Sequence, residues 1–379
     1  MQMTKTAEQA ALVAMVREVL ATACSPKVVR EIKVDATRSS RIDEVYRSLA
    51  SAGLLGLAIG SEWGGEGASL VELGLFFEEA GRVLCPSSVY ETLKFALAVE
   101  TLADDSQKAA ILPAIVRGQR SGVVVIHDPA DAADVTTRVR AEPVPEGWLL
   151  DGVLDFVPSD DGNGQLLVPA QVEAAAGRSR IVLALVSNRE SNVGPDVRRA
   201  ISGDRFARVD LRGRFVAAEY VVDRRGGVRT EDLTRLAQQF VALQCMEMVG
   251  GASAVLERTA AYVALREQFG RPIGSFQAVQ HLVADVRIAY DGARLAALQA
   301  LCRLADGDIA TRTVAIAKMQ CSEAYKLATL TAHQLHGGMG YVRETDLHLW
   351  SERAKVAEVL GGTADVAAGW LADALDLAR

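Results

Sequence analysis

The residues best suited to chemistry stand at two corners of this chain. In YVALREQFGRPIGSFQAVQHLVADVRIAY, residues 262 to 290, two helical patterns meet at a turn. Arg266, Gln268 and Phe269 close the first pattern, Phe276 and Gln277 open the second, and Gly270, Pro272 and Gly274 break the path between them. Glycine reaches backbone angles barred to other residues and proline lacks the N–H that a helix needs, so the corner stops one helix and starts another. It gathers a guanidinium, two amides and two aromatic rings. An arginine fork pairs with pyrophosphate oxygens and aromatic faces pack on rings, so the grouping suits a dinucleotide. A helix hairpin with a solvated arginine has the same spacing. The second corner is Gln334-Leu335-His336-Gly337-Gly338-Met339-Gly340-Tyr341. Its glycines let backbone approach a ligand closely, and Gln334 offers a donor and an acceptor to an adenine or amide edge. A helix stop of the Schellman type accounts for the same glycines.

The elements that must hold these corners follow from the period of the hydrophobic pattern. From about Ala7 to Arg117 the spacing is helical, as in Val71, Leu75 and Glu78 to Val83, with a glycine-rich turn at Trp63-Gly64-Gly65-Glu66-Gly67. From Gly122 to Val222 it becomes strand-like, in SGVVVIHD, GWLLDGVLDFV, QLLVPAQV, RIVLALVS and AEYVVD. From Thr230 onward it is helical again, over about 231 to 268, 276 to 304, 308 to 335 and 346 to 377, which predicts a four-helix bundle. A chain of 379 residues supports two or three such domains. Half the residues are hydrophobic, but charges interrupt every run before the ~18 apolar residues that a membrane span needs, so no membrane role is expected. The N-terminal stretch reads as an amphipathic helix unlike a signal peptide. Cys24, Cys85, Cys245, Cys302 and Cys321 are scattered through apolar patterns, which predicts buried reduced thiols, no metal site and a cytoplasmic protein. A net charge of −7 argues against nucleic-acid binding.

Taken together, LASAGLLGLAIGSEWGGEGASLVELGLFFEEAG, LREQFGRPIGSFQAVQ and QLHGGMGY, in this order and spacing, resemble the acyl-CoA dehydrogenase family. The resemblance implies an α+β fold with an N-terminal α-helical domain (1–120), a middle β-barrel-like domain (121–225) and a C-terminal four-helix bundle (226–379). It implies FAD as cofactor, contacted by Arg266, Gln268, Phe269, Phe276, Gln277, Gln334, Leu335, Gly337, Gly338 and Thr363. The family's reaction removes a proton beside a thioester and a hydride from the next carbon, so a carboxylate must sit against the substrate. Its two family positions fall here on Gly361 and on Phe240, and neither residue can accept a proton. Glu247 lies two turns, about 10.5 Å, beyond Phe240; with Glu358 and Asp365 it completes the set of weak substitutes.

Further departures lie in the β segment. Where the family cradles its flavin with approximately Thr-Glu-Pro-x-Ala-Gly-Ser-Asp, this chain has His127-Asp128-Pro129-Ala130-Asp131-Ala132-Ala133-Asp134, losing two hydroxyl donors. The family's Trp-Ile-Thr becomes Phe156-Val157-Pro158, and its Arg-Asp-Ala-Lys becomes Glu352-Arg353-Ala354-Lys355. In the family the β loops hold a subunit's own flavin, whereas the C-terminal corners reach into the neighbour's. The losses therefore resemble the flavin-deficient chain of the heteromeric acyl-CoA dehydrogenases of bacterial steroid side-chain catabolism. That implies a homologous partner subunit in an α2β2 heterotetramer, an acyl-CoA substrate and electron-transfer flavoprotein as acceptor. A homomeric flavoenzyme with a relocated base, and a non-flavin scaffold or acyl-CoA-binding member of the fold, are the alternatives.

Overall fold

The computed structural model describes residues 5–34, 40–159, 164–173, 179–187, 192–223 and 227–377, with backbone alone for 192–196. Residues 1–4 of the N-terminal helix reading lie outside that set. The chain opens with α1 (Ala7–Ala23), started by a capping box in which Thr6 and Gln9 satisfy each other's backbone N–H, followed by α2 (Pro26–Val34) and α3 (Ser40–Ser51). Next come α4 (Leu70–Arg82), α5 (Ser87–Leu102) and α6 (Asp105–Val116), the last begun by a second capping box between Asp104 and Gln107. The strand region runs β1 (Gly122–Val124), β2 (Val139–Val144), β3 (Gly147–Asp151), β4 (Val153–Pro158) and β5 (Gln165–Glu173). It continues through β6 (Ser179–Ser187), β7 (Asn192–Arg199), β8 (Arg205–Asp210), β9 (Arg214–Ala217) and β10 (Val221–Val222). Then follow α7 (Thr230–Leu265), a short hairpin of β11 (Glu267–Gln268) and β12 (Arg271–Pro272), α8 (Gln277–Ala305), α9 (Thr311–His336), α10 (Leu347–Val359) and α11 (Ala364–Ala374).

The expected helix–strand–helix succession is present, with four differences in detail. The first long helix stops at Leu265, not near 268, because Glu267 and Gln268 pair with Arg271 and Pro272 as a hairpin. The last helical stretch is two helices: Gly361 and Gly362 take φ of 73° and 117°, and the Thr363 hydroxyl caps α11 by accepting from the Val366 N–H. Strands β2, β7, β8 and β9 were not legible, since Arg140, Glu142, Arg198, Arg208 and Arg214 give them no continuous apolar run. The expected strand AEYVVD forms only at Val221–Val222; a 3₁₀ turn occupies Ala218–Tyr220.

Two compact units emerge. One comprises α1, Leu70–Cys85 and the chain from Gln238 onward; the other comprises Lys27–Ser69 and Pro86–Ala237. In the second unit the strands form a sheet of order β10-β6-β5-β2-β3-β9, with β1 beside β5, and a three-stranded sheet β4-β8-β7. Both sheets bury side chains in one core, from Val139, Leu150, Val168 and Val182 to Leu154, Val157 and Val209. β1 is pressed on α5: a Cβ on Gly122 would fall 2.3 Å from the Phe95 ring. In the first unit α7 packs equally tightly on α4, where a Cβ on Gly250 would meet the Glu78 carbonyl at 1.8 Å and one on Gly81 the Glu247 carbonyl at 2.1 Å. Charge is carried into this unit in pairs. Buried Glu78 binds Arg294, and buried Glu79 binds Arg17 through both oxygens. Among the described helices α7 is long and apolar enough to cross a membrane, but 89% of its apolar window is buried inside the structure, as in a core helix. The five cysteines are free thiols, four of them buried, and no group of His, Cys, Asp or Glu among the described residues could hold a metal ion.

Candidate functional site

The first corner is set by the end of α7. Arg266 N–H bonds the Tyr262 carbonyl and the Arg266 carbonyl accepts from Ile273, so the loop returns to its own start. Phe269 and Gly270 form a two-residue hairpin turn with φ of 55° and 78°, the left-handed pair that a type I′ turn requires. Glycine accepts that geometry freely; a phenylalanine there costs on the order of 1 kcal/mol or more. The strained residue is also 92% exposed. Its ring meets Phe276 edge to face, with centroids 6.2 Å apart, and the Arg271 guanidinium lies 4.1 Å over the other aromatic ring. Arg271 is a second cation at this corner that sequence reading passed over. Phe276 is half-buried as the residue before α8, while the side chains of Arg266, Gln268 and Gln277 are exposed.

The second corner is joined to the first. α9 ends at His336, whose ring stacks on Tyr262 of α7 at 4.1 Å and 19°, and the Tyr262 hydroxyl donates to the His336 carbonyl at 3.4 Å. Tyr262 is four residues before Arg266, so one stack fixes both corners to each other. Beyond it Gly337 takes φ 57° and ψ −134°, and a Cβ on Gly337 or Gly338 would meet nothing within 4 Å. Gln334 is exposed beside these glycines and Leu335 is half-buried. The structure thus brings Arg266, Gln268, Phe269, Phe276, Gln277, Gln334, Leu335, Gly337 and Gly338 onto two linked turns. Thr363 is elsewhere in the unit, engaged as the cap of α11.

The two family base positions are empty of acid. Phe240 is buried, and Gly361 sits in the break between α10 and α11. A buried lysine holds that break: Lys318, with no exposed surface, donates to the carbonyls of Ala357 and Leu360 at 2.7 and 2.8 Å and to Gln244 Oε1 at 3.2 Å. It answers the last carbonyls of α10, which lack partners within the helix. Its sequence signal was a lone charge in the apolar run VAIAKMQC. The substitute carboxylates have other occupations. Glu247 is largely buried and paired with Arg353 at 3.2 Å; Arg353 also donates to the Cys85 carbonyl at 2.7 Å. Glu358 binds Lys355 at 2.9 Å. Asp365 is exposed in the first turn of α11, where the helix dipole favours a carboxylate.

In the other unit the loop after β1 closes on itself. Asp128, Asp131 and Asp134 each accept, through Oδ1, from the amide two residues ahead: Ala130 at 2.8 Å, Ala133 at 3.0 Å and Thr136 at 3.0 Å. The amides of Asp128, Asp131, Asp134 and Val135 bond carbonyls of the same loop. Arg138 clamps it by pairing with Asp128 and Asp134. Bonds from the Thr136 hydroxyl and amide, with Arg138 beside them, hold the Asp134 carboxyl below its ordinary range. A flavin diphosphate needs free amides and cations; here the amides are taken and carboxylates stand among them. The His127 ring places Nδ1 2.7 Å from the Asp128 carbonyl, which can only accept, so Nδ1 carries the proton. Burial pushes its pKa below the usual histidine value. Phe156, on a bulge of β4 with φ 56°, is 56% exposed, and Pro158 follows it in the strand. These residues do not fit the diphosphate and ring of a flavin, whereas the two C-terminal turns offer a fork, amides and aromatic faces.

Comparison with known proteins agrees with this architecture. Residues 238–375 match the family model of the acyl-CoA dehydrogenase C-terminal domain, and residues 6–119 that of the acyl-CoA dehydrogenase N-terminal domain. Probable acyl-CoA dehydrogenase YngJ of Bacillus subtilis is 26% identical over 336 residues, 85% of this chain and 87% of that protein. Among solved structures, a variant of the Tcur3481-Tcur3483 steroid ACAD superposes with a TM-score of 0.84 at 27% identity, covering 97% of this chain and 98% of that one. A chain of the ChsE4-ChsE5 complex from Mycobacterium tuberculosis gives 0.82 at 27% identity, over 99% and 98% of the two chains.

Proposed function

The chain belongs to the acyl-CoA dehydrogenase family, and from that premise we propose that it is the flavin-deficient subunit of a heteromeric acyl-CoA dehydrogenase. It completes the flavin site of a homologous partner, and the partner supplies the catalytic carboxylate. The observation that carries this reading is the division within one chain: the loop at 127–138 spends three carboxylates and most of its amides on itself, while the turns at 266–277 and 334–341 leave the side chains of Arg266, Gln277 and Gln334 exposed, although the Gln268 amide bonds the Glu267 carbonyl. When bound, FAD supplies the hydride acceptor for α,β-dehydrogenation of an acyl-CoA thioester. Arg266 would pair with its pyrophosphate as a charge-assisted fork. Phe269 and Phe276 present aromatic surface, and Gln268, Gln277 and Gln334 present amides, to its rings and hydroxyls. Gly337 and Gly338, with no Cβ, let backbone approach.

Phe240 and Gly361 leave no proton acceptor at either family position, so deprotonation beside the thioester falls to the partner. Two of the similar structures are named for paired chains, one of them a steroid ACAD. That supports a paired-chain assembly and a steroid-type acyl-CoA substrate; an α2β2 heterotetramer, a role in lipid and steroid catabolism, electron-transfer flavoprotein as acceptor and the cytoplasm as location belong to the same proposal. Exposed apolar side chains on the same elements, Leu265, Phe269, Leu330 and Tyr341, suit a subunit boundary. The visible spectrum decides between readings. Protein purified alone is expected to be colourless, and yellow when co-expressed with its homologous partner. A yellow chain that dehydrogenates acyl-CoA by itself would establish the homomeric alternative, and no colour in either preparation the non-flavin one.

A further inference from the structure

We propose that His333, which lies outside the family motifs, is a positioning residue that fixes the glycine turn at 337–341; the inference rests on the reading that this turn contacts the partner's flavin. His333 stands on the last turn of α9. Its Nδ1 lies 2.8 Å from the Gly340 carbonyl and its Nε2 lies 2.9 Å from the Ser351 hydroxyl on α10. A carbonyl can only accept, so Nδ1 carries a proton, while Nε2 meets a Ser351 hydroxyl that also lies 3.2 Å from the His348 carbonyl. One ring thereby ties the exit of the turn to the helix that follows it. Tyr341 closes over the same ring at 5.3 Å between centroids.

The packing shows which part of the turn this clamp governs. At Gly340 the backbone lies so close to α9 that a Cβ would come within 2.7 Å of the His333 carbonyl. At Gly337 and Gly338 a Cβ would meet nothing within 4 Å. The turn is therefore held at its exit by His333 and at its entry by the stack of His336 on Tyr262, with open backbone between. Freeing the exit removes one of two anchors while the helices stay packed. The open glycines would then sample several positions, and ligand ordering would bear the cost.

The test uses the co-purified complex and reads flavin release by the recovery of flavin fluorescence, with the melting temperature as a control. His333→Leu deletes both bonds; it is expected to speed release roughly two- to tenfold, the range for the one neutral hydrogen bond that holds the turn itself, without displacing the melting transition. His333→Asn, whose amide can still donate to Gly340, is expected to restore release to within about twofold of the parent, a bond of that kind being worth about 1 kcal/mol. If the leucine variant does not fold, Ser351→Ala removes the hydroxyl at Nε2, with its bonds to carbonyls of its own helix, and is expected to speed release by a smaller factor. Parental release in His333→Leu, or an asparagine variant as fast as the leucine one, overturns the inference. Arg266→Ala and Gln334→Ala separate the levels. If they speed release and His333→Leu does not, the positioning role alone is lost; if they too are silent, the flavin contact falls and the inference with it.

Discussion

The loop at 127–138 and the turns at 266–277 and 334–341 are all short, polar and rich in residues that favour turns, yet they dispose of their hydrogen bonds in opposite ways. In the loop, three aspartates cap amides two residues ahead and Arg138 pairs with two of the caps, so most of the segment's polar groups are satisfied from within. In the C-terminal turns, backbone and buried groups are satisfied by neighbours, the His336 stack on Tyr262 and Ile273 N–H to Arg266 among them. The side chains of Arg266, Gln277 and Gln334 are left on the surface. Polar composition does not make a binding site. What matters is whether the local backbone has already claimed the donors and acceptors.

The sharpest way to break this contrast is to remove the outward charge. Arg266→Ala is expected to lower flavin affinity of the complex by on the order of ten- to a hundredfold, since a charge-assisted bond is worth about 1.5–3 kcal/mol, while the chain keeps its fold. Lysine should rescue only partly, because an ammonium lacks the planar fork. Equilibrium dialysis of flavin against the complex checks both, and equal affinity in parent and alanine variant would count against the assignment.

A smaller effect is expected from the three substitute carboxylates. Glu247→Gln, Glu358→Gln and Asp365→Asn should each leave turnover of the complex within a few fold of the parent. Their partners are Arg353, Lys355 and the N-terminus of α11, and none lies at Phe240 or Gly361. A loss of several orders of magnitude in any one, with flavin content and assembly intact, would make that residue the base and this chain a catalyst in its own right.

The smallest effect sharpens the other side of the comparison. Burial lowers the pKa of His127 in the closed loop. Below the ordinary histidine value of about 6.5 the unfolded chain binds a proton that the folded loop resists, so stability falls as pH drops through that value. Asp134, held low first by the Thr136 hydroxyl, adds its loss further down, below the ordinary carboxylate range. Because burial shifts His336 the same way, the parent should be compared with His127→Gln. Urea denaturation at pH 7.5 and 5.5 is expected to show a shallower decline in the variant; identical slopes would remove His127 from the account.

Much of the fold was legible because periodicity reports one-sided burial, and the long helices bury one side. The broken last helix was less so: Gly361-Gly362-Thr363 is a cap only in combination, and residues 346 to 377 read as one stretch until the two left-handed glycines are placed. The strands β7 and β8 escaped because their pairing partners lie across the sheet and their arginines interrupt the alternation. At the candidate site the outward groups were readable from residue type and spacing. The groups that hold them were not. Lys318, Tyr262 and His333 act through partners 7 to 74 residues away, at Gly340, Ser351, Ala357, Leu360, Gln244 and His336. Nor does Asp-rich composition at 128–134 announce three caps; that follows only once the loop's turns are known.

The central claim is that this chain completes a flavin site without owning one, and the ratio of flavin to polypeptide tests it most directly. The co-purified complex is denatured, released FAD is measured by absorbance and each chain is quantified by amino-acid analysis. The account predicts one FAD for every two chains, one of each kind, and none in this chain purified alone. One FAD for every chain would contradict it.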